Sequence, residues 1–255
     1  MDLKTGRTSA RHLVSLGRID ALRGVSETDA GLRIGALTTI TELAGSSSVR
    51  ERFEPILDAA LQMAARQVRN MATVGGNITA AVPCADLPPI LTTLNASVTL
   101  WSLAGERDVA LEDFVTGPRE TVLRYDEVLT AVNVPRMPAG FGAAYARFAQ
   151  RDGNAIAVAG VAASLRLESD GTIGDGRVVL NAVAPVPKLV REAGTALRGR
   201  PPADEAFRAA AEAARKAAEP ISDARGSAEF RRELVEVLAR RALQRALGRS
   251  AGVGA

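Results

Sequence analysis

The chain has 255 residues, of which 47% are apolar and 24% charged, a composition typical of a folded globular protein with one large or two small cores. Its 32 basic and 29 acidic residues leave a net charge of only +3, and 4% of the residues are aromatic, so no nucleic-acid surface is predicted. The single cysteine, Cys84, and the single histidine, His12, exclude an internal disulfide and a zinc or iron–sulfur site made by this chain alone.

No membrane span or secretory leader is indicated. The longest apolar run, residues 155–165, is shorter than the roughly 18–20 residues that a helix needs to cross a bilayer. The start of the chain carries charged side chains and lacks the apolar core of a signal peptide. We therefore expect a cytoplasmic protein.

The first predicted elements are a strand and two helices. Residues 31–35 alternate between apolar and polar side chains and predict a short strand, and the threonines after Gly35 are suited to begin a helix. Residues 54–70 carry apolar side chains at helical spacing with Pro55 in the first turn, which predicts one long helix.

The middle of the chain is richer in strand patterns. Residues 95–101 and 127–135 alternate with period two and predict strands, whereas 110–123, with its Gly-Pro pair and acidic residues, is interpreted as a surface connection. From 143 to 187 the pattern predicts a meander of antiparallel strands with a turn at 169–176.

The end of the chain is predicted to be helical. One Ala-rich helix is expected at 203–218, stopped by Pro220, and a second after Ser227, a suitable N-cap. Pro and Gly at 136–142 predict a boundary between two lobes.

The segment "TVGGN", residues 73–77, lies between the long predicted helix and the next strand. Glycines permit a positive φ and close approach of backbone amides to a ligand, and Thr73 and Asn77 add polar side chains, so the segment is suited to hold phosphate oxygens. Asp86 could bind a ribose. A plain turn is the alternative, and neither GxGxxG nor a P-loop is present.

Six segments occur in the order found in one enzyme family. They are "IGALTTITEL", "QVRNMATVGGNI", "PCADLPPILTTLNA", "YDEVLTAVNVP", "RFAQRDGNAIAVAG" and "ISDARGSAEFRRELVEVLARRAL". With these motifs the chain resembles the FAD-binding medium subunit of molybdenum hydroxylases, the family of carbon monoxide dehydrogenase, xanthine dehydrogenase and 4-hydroxybenzoyl-CoA reductase. The resemblance covers nearly the whole chain.

The resemblance implies an α+β fold in two domains. Residues 1–138 would form the second lobe of a PCMH-type, vanillyl-alcohol-oxidase-like FAD-binding domain, without its N-terminal sub-lobe. Residues 139–248 would form an antiparallel sheet with helices, as in the C-terminal domain of CO dehydrogenase flavoproteins, and 249–255 a flexible tail.

The resemblance also implies a set of cofactor-binding residues. These are Thr73, Val74, Gly75, Gly76 and Asn77 at the FAD pyrophosphate, Asp86 near the adenosine, Leu129 beside the flavin, and Arg147 where some relatives have lysine, with Arg151 following. Arginine keeps the charge of lysine but changes the donor geometry. The alternatives are that Leu129 is plain core and that the two arginines are solvated strand residues.

The implied function is electron transfer without a catalytic residue from this chain. FAD would pass electrons between 2Fe–2S clusters of a small subunit and an acceptor such as NAD, a quinone or another carrier. The molybdenum cofactor would belong to a large, molybdopterin-binding subunit. The cofactor carries the redox chemistry, and the protein positions it.

One departure from the family weakens the expected flavin binding. Relatives begin with a small lobe bearing a second glycine loop, and the sequence given begins just beyond it, so we expect weak or absent FAD binding unless another polypeptide or an upstream start supplies that lobe. Two other functions stay open: a flavin-free scaffold that only docks with partner subunits, and an independent enzyme that binds a smaller ligand at "TVGGN".

Overall fold

The computed structural model describes residues 6, 9–151 and 153–250. Two large antiparallel sheets and one two-stranded hairpin, with helices packed between and around them, confirm the predicted α+β class. Within these ranges no helix combines the length and apolar character that a bilayer crossing requires.

The first half of the chain builds a five-stranded antiparallel sheet covered by short helices. In chain order its elements are a 3-10 turn (Asp20–Leu22), β1 (Val25–Thr28), β2 (Gly31–Gly35), α1 (Ile40–Gly45), α2 (Ser47–Arg52), α3 (Pro55–Gln62), α4 (Arg66–Arg69), α5 (Val74–Thr79), α6 (Leu87–Thr93), β3 (Ser97–Ser102), β4 (Gly105–Ala110), α7 (Leu111–Phe114), β5 (Val115–Gly117), β6 (Glu120–Thr121) and β7 (Val128–Pro135). The strand order is β1–β2–β7–β3–β4. The strands predicted in this half are confirmed as β2, β3 and β7.

The helix predicted over 54–70 is broken in two, which corrects the sequence interpretation. α3 and α4 are separated by three residues, among which Ala64 has a left-handed φ of 42°. The guanidinium of Arg69 donates hydrogen bonds to the carbonyl oxygens of Leu61, Met63 and Ala64, at 3.2, 2.7 and 3.0 Å. These carbonyls are thus satisfied without a further helical turn. Leu61 lies within α3 but is 59% exposed, so it is not part of a buried stripe.

The stretch 110–123, interpreted as a surface connection, contributes to the core. Within it α7 buries Leu111 and Phe114, an apolar pair at i and i+3 on one helical face. β5 and β6 then form a short hairpin around the Gly-Pro turn. The acidic residues of this stretch favoured a surface loop in the sequence interpretation, although the first two lie in a short amphipathic helix.

The second half of the chain forms a four-stranded antiparallel meander followed by three helices. In chain order its elements are β8 (Phe141–Phe148), β9 (Ala159–Leu167), β10 (Ile173–Asn181), β11 (Lys188–Leu189), α8 (Arg191–Leu197), α9 (Asp204–Ala217) and α10 (Ala228–Ser250). The predicted meander and terminal helices are confirmed, and Ser227 caps α10 by accepting the N–H of Phe230 at 3.1 Å. The predicted tail starts too early, because α10 continues to Ser250; residues 251–255 lie outside the described ranges.

The second sheet is buried on both faces, which explains its nearly continuous apolar sequence. Ala162 and Val179 pack in the core shared with α3 and α6, whereas their neighbours Val161 and Leu180 pack with α8, α9 and α10. Successive residues of a strand point to opposite faces, so one sheet serves two cores. The two halves of the chain are therefore joined by a continuous apolar interior.

Asp58 of α3 satisfies the open edge of β8, the edge strand of the second sheet. Its carboxylate accepts the backbone N–H of Tyr145 at 3.1 Å and the guanidinium groups of Arg245 and Arg249 at 2.7 and 2.6 Å. Arg245 donates to the carbonyl oxygen of Tyr145 at 3.0 Å, and Arg249 to that of Ala143 at 2.9 Å. Side chains from α3 and α10 thus occupy edge groups that a further strand would otherwise use.

A second ion pair joins β4 to the start of β7. The carboxylate of Glu127 accepts two hydrogen bonds from Arg107, at 2.7 and 2.9 Å, and the backbone N–H of Arg124 at 2.8 Å. The side chain of Glu127 is 3% exposed. These donors lower the pKa of Glu127 to about 2, and the hydrogen bonds from Arg107 have the largest effect.

We expect Asp58→Asn to lower the free energy of unfolding by about 2–4 kcal/mol, because two arginines lose their shared buried counter-charge. Urea unfolding of the chain measures the change. Glu54→Gln is the matched control: Glu54 is 56% exposed and accepts from the same Arg249, so its loss should stay below about 1 kcal/mol. Equal losses in the two variants would contradict the edge role of Asp58.

The Glu127 pair predicts a pH dependence of stability. Because its pKa in the folded chain lies below the ordinary value of 4.5, ionised Glu127 stabilises the fold above about pH 4.5, and this contribution is lost as the pH falls toward about 2. Glu127→Gln should therefore lower the melting temperature at pH 7, and the difference from wild type should shrink across this window. Glu106→Gln, a change at an exposed carboxylate beside Arg107 on β4, is the control. A difference independent of pH would refute the assignment.

Candidate functional site

The predicted ligand loop "TVGGN" is the start of a helix. Thr73 is the N-cap of α5, and its Oγ1 accepts the N–H of Gly76 at 3.1 Å. Neither Gly75 nor Gly76 has a positive φ. The segment thus corrects the expectation of a left-handed glycine loop.

The backbone amides of this segment bind other parts of the chain. Val74 donates to the carbonyl of Thr38 at 2.9 Å, Gly75 to that of Ala36 at 2.8 Å, and Asn77 to that of Thr73 at 2.9 Å. With Gly76 bound to the capping hydroxyl, each amide from Val74 to Asn77 has an internal acceptor. The expectation that these amides turn toward a diphosphate is therefore wrong for this structure, and ligand contacts by this segment fall to its side chains.

The glycines have a packing role that explains them locally. A Cβ on Gly75 would lie 2.8 Å from both the Cβ and the carbonyl oxygen of Ala36, so the close approach of the two backbones requires glycine. A Cβ on Gly76 would meet only the hydroxyl of Thr73, at 2.9 Å. Gly75 is buried and Gly76 is exposed.

The side-chain oxygen of Asn77 has no hydrogen-bond donor among the described residues. Asn77 Nδ2 lies 3.9 Å from the sulfur of Met63, and Oδ1 is buried without a hydrogen-bond partner in the part of the chain that the structure describes. Buried polar atoms are normally paired, so such an atom is a candidate for a ligand contact.

Asp86 and Arg147 form a buried ion pair. Arg147 Nη1 donates to Asp86 Oδ2 at 3.0 Å, and the other oxygen, Oδ1, accepts the hydroxyl of Tyr145 at 2.8 Å. Arg147 also donates to the carbonyl oxygens of Gln62 and Ala155. Burial raises the pKa of Asp86, although Arg147 and Tyr145 both favour its charged form.

A cavity of about 700 Å³ lies beside Arg147, between the α3–α4 junction and the β8–β9 loop. We call it the arginine cavity, since Arg66, Arg69, Arg147 and Arg151 contribute to its wall. Its volume is within the range of small-molecule sites. Arg66 and Arg151 are exposed, and the planar guanidinium suits phosphate oxygens.

The structure brings some of the predicted residues together and leaves others apart. Asn77 contacts Met63 and Arg147 contacts Gln62, so both converge on the end of α3 beside the cavity. Leu129 is 5% exposed in the first core and does not line the cavity.

The single cysteine and the single histidine of the chain lie outside the candidate site. Cys84 is half-buried, and burial, followed by the charge of Asp86, raises the pKa of its thiol. His12 is exposed. The described residues hold no group of three His, Cys, Asp or Glu side chains that could bind a metal ion.

The residues present fit a dinucleotide with a diphosphate, such as FAD. The buried, unpaired Oδ1 of Asn77 supplies an acceptor, and the arginine cavity supplies cationic donors. The hydroxyl of Thr73 is engaged as a cap, and Asp86 is engaged by Arg147 and Tyr145.

Sequence reasoning missed Tyr145, Gln62 and Met63. A signal existed for Tyr145, because it precedes Arg147 by two residues on a predicted strand and so lies on the same face. Gln62 and Met63 were assigned to the interior of a long helix, which hid the junction that forms the cavity wall.

Family models match both halves of the chain. The model described as the FAD binding domain in molybdopterin dehydrogenase matches residues 1–137, more than half of the chain. The model described as the CO dehydrogenase flavoprotein C-terminal domain matches residues 144–246.

The chain is similar to medium subunits of known complexes. It is 35% identical over 241 residues to the carbon monoxide dehydrogenase medium chain of Hydrogenophaga pseudoflava, covering 94% of this chain and 83% of that protein. It is 31% identical over 244 residues to the xanthine dehydrogenase FAD-binding subunit of Escherichia coli O157:H7, covering 95% and 83%. A chain of reconstituted CO dehydrogenase from Oligotropha carboxidovorans superposes with a TM-score of 0.92 at 33% identity, covering 97% of this chain and 86% of that one.

The packing roles of the two glycines predict opposite tolerance. We expect Gly75→Ala to lower the free energy of unfolding by about 1–3 kcal/mol, because its methyl group must displace the backbone of Ala36. Gly76→Ala should change it by no more than about 1 kcal/mol, since only a hydroxyl must move and alanine favours the helix. Thermal and urea unfolding of the two variants measure this. A Gly75→Ala chain as stable as wild type would refute the packing explanation.

Proposed function

The chain belongs to the family of FAD-binding subunits of molybdopterin dehydrogenases, and on that basis we propose that it is the electron-transfer subunit of a molybdenum hydroxylase complex. In this role it passes electrons between 2Fe–2S clusters of a partner subunit and an external acceptor. It is an oxidoreductase subunit, and its own residues provide no acid, base or nucleophile for the reaction.

The observation that carries the proposal is the convergence of Asn77 and Arg147 at the end of α3. Asn77 brings a buried acceptor without a partner, and Arg147 brings a cation held in place by three acceptors. Arg147 and its partner Gln62 line the arginine cavity, and Asn77 contacts Met63, the residue that follows Gln62. An uncharged acceptor beside fixed cations supports a ligand that has both hydroxyl groups and phosphates.

The proposed roles of the side chains follow from their chemistry. Arg147 would hold a negative or electron-rich part of the cofactor, and Arg66 and Arg151 would attract phosphate oxygens at the exposed rim. Asn77 would fix orientation through its Oδ1. FAD, when bound, would supply the redox chemistry. Thr73, Val74, Gly75 and Gly76 stay predicted residues of the pyrophosphate site. Asp86 would anchor Arg147, and the role of Leu129 beside a flavin also stays a prediction.

The proposal includes partners and domain limits. A large molybdopterin-binding subunit and a small 2Fe–2S subunit would complete the complex, with NAD, a quinone or another carrier as acceptor. The FAD-binding domain would occupy residues 1–138 and the second domain would follow from 139. Weak flavin binding and a cytoplasmic location stay predictions.

A second candidate function is a flavin-free scaffold that docks with the partner subunits. The specific observation in its favour is that the amides from Val74 to Asn77 are all bound internally, which removes donors that a diphosphate could use. FAD content distinguishes the two functions directly.

We expect the purified chain to bind FAD weakly but measurably, and Asn77→Ala and Arg147→Gln each to weaken that binding about tenfold or more, since Asn77 carries a buried unpaired oxygen and Arg147 a cation at the cavity wall. Fluorescence titration of FAD gives the dissociation constants. Asn133→Ala is the control, because Asn133 also uses its amide in a side-chain hydrogen bond, to Thr99 on the first sheet, and should leave affinity unchanged.

Co-expression with the large and small subunits completes the test. A yellow complex that releases FAD supports the electron-transfer subunit. A colourless chain that still copurifies with both subunits supports the scaffold instead, and a chain that binds FAD but associates with neither subunit refutes the subunit role.

A further inference from the structure

Tyr145 and Asn181 form a buried chain of hydrogen bonds that leads to Arg147. Asn181 Nδ2 donates to Tyr145 Oη at 2.6 Å, and Tyr145 Oη donates to Asp86 Oδ1 at 2.8 Å. Arg147 Nη1 then donates to Asp86 Oδ2 at 3.0 Å. Asp86, Tyr145 and Asn181 are 6%, 0% and 1% exposed, and Arg147 is the member that reaches the arginine cavity.

The direction of this chain is set by its donors. A tyrosine hydroxyl has one hydrogen to donate. Because the amide nitrogen of Asn181 donates to the phenol oxygen, the hydrogen of Tyr145 is directed to Asp86. Each oxygen of Asp86 therefore has a separate partner, with Tyr145 at Oδ1 and Arg147 at Oδ2.

The surroundings of the phenol preserve this arrangement. A Cβ on Gly160 of β9 would lie 2.7 Å from Tyr145 Oη and 3.1 Å from Asn181 Cβ, so glycine leaves the space for both groups. Burial and the charge of Asp86 raise the pKa of Tyr145 well above its usual value, and the hydroxyl therefore keeps its proton. The phenol is thus a permanent donor to Asp86.

We propose that Tyr145 and Asn181 are positioning residues of the cofactor site, which hold the Asp86 carboxylate in the orientation that keeps Arg147 at the cavity wall. The inference rests on the proposed function, because the ligand concerned is FAD. The other acceptors of Arg147 are the carbonyl oxygens of Gln62 and Ala155, which carry no net charge. Asp86 is thus the ionic anchor of Arg147. The orientation of the Asp86 carboxylate depends in turn on the hydroxyl of Tyr145.

The test is a double-mutant cycle on FAD affinity in the full chain. Tyr145→Phe removes only the hydroxyl, and we expect it to weaken FAD binding about tenfold. In an Arg147→Gln background the same change should weaken binding less than about twofold, because the group through which it acts is gone. Asn181→Leu should weaken binding in the same direction, and it carries the cycle if Tyr145→Phe fails to fold.

Two comparisons separate positioning from general stability. Ser164→Ala removes another buried hydroxyl from the second sheet, whose acceptor is the carbonyl of Thr93, and should leave FAD affinity unchanged. If Tyr145→Phe weakens FAD binding equally in the wild-type and Arg147→Gln backgrounds, this inference is wrong, but the proposed function is not affected. If the wild-type chain binds no FAD, the proposed function is wrong, and the inference that rests on it is wrong as well.

Discussion

The buried carboxylate of Asp86 is the charge on which the joint between the two halves of the chain depends. A carboxylate removed from water is costly unless donors surround it, and its donors here, Arg147 and Tyr145, both lie on β8 of the second half. Asp86 itself precedes α6 of the first half. The charge is therefore compensated only when the second sheet is docked against α3 and α6, which couples the folding of the two halves to the formation of the site.

Strand β8 carries this coupling because Tyr145 has two roles at once. Its backbone binds Asp58 and Arg245 at the edge of the sheet, and its side chain binds Asp86 in the interior. The C-terminal helix α10 thus acts on the cavity wall through one residue. Gly142, where a Cβ would lie 2.0 Å from the carbonyl oxygen of Ala246, permits the close approach of α10 that this requires.

The sequence predicted elements that depend on local pattern and missed those that depend on distant partners. Strands β2, β3 and β7 and helices α9 and α10 follow from periodicity, and the cap at Ser227 from residue type. The break after α3 depends on the hydrogen bonds that the guanidinium of Arg69 makes to the carbonyl oxygens there. The helical conformation of Gly75 depends on its hydrogen bond to the carbonyl of Ala36. A short stretch of sequence reveals neither contact. The site shows the same limit, since the partners of Tyr145 lie 59 and 36 residues away.

The internal use of the amides in α5 changes what kind of recognition the proposed site can perform. Recognition must come from Asn77 and the arginines, which divide into a buried and an exposed group. Arg147 is held by fixed acceptors with its side chain 6% exposed, so its field is weakly screened. In the proposed site its fixed geometry would limit which ligand fits. Arg66 and Arg151 are exposed, and salt largely screens their charges beyond about 8–10 Å. In the proposed site they would attract an anionic ligand, whereas discrimination between ligands would belong to the buried chain of Asn181, Tyr145, Asp86 and Arg147.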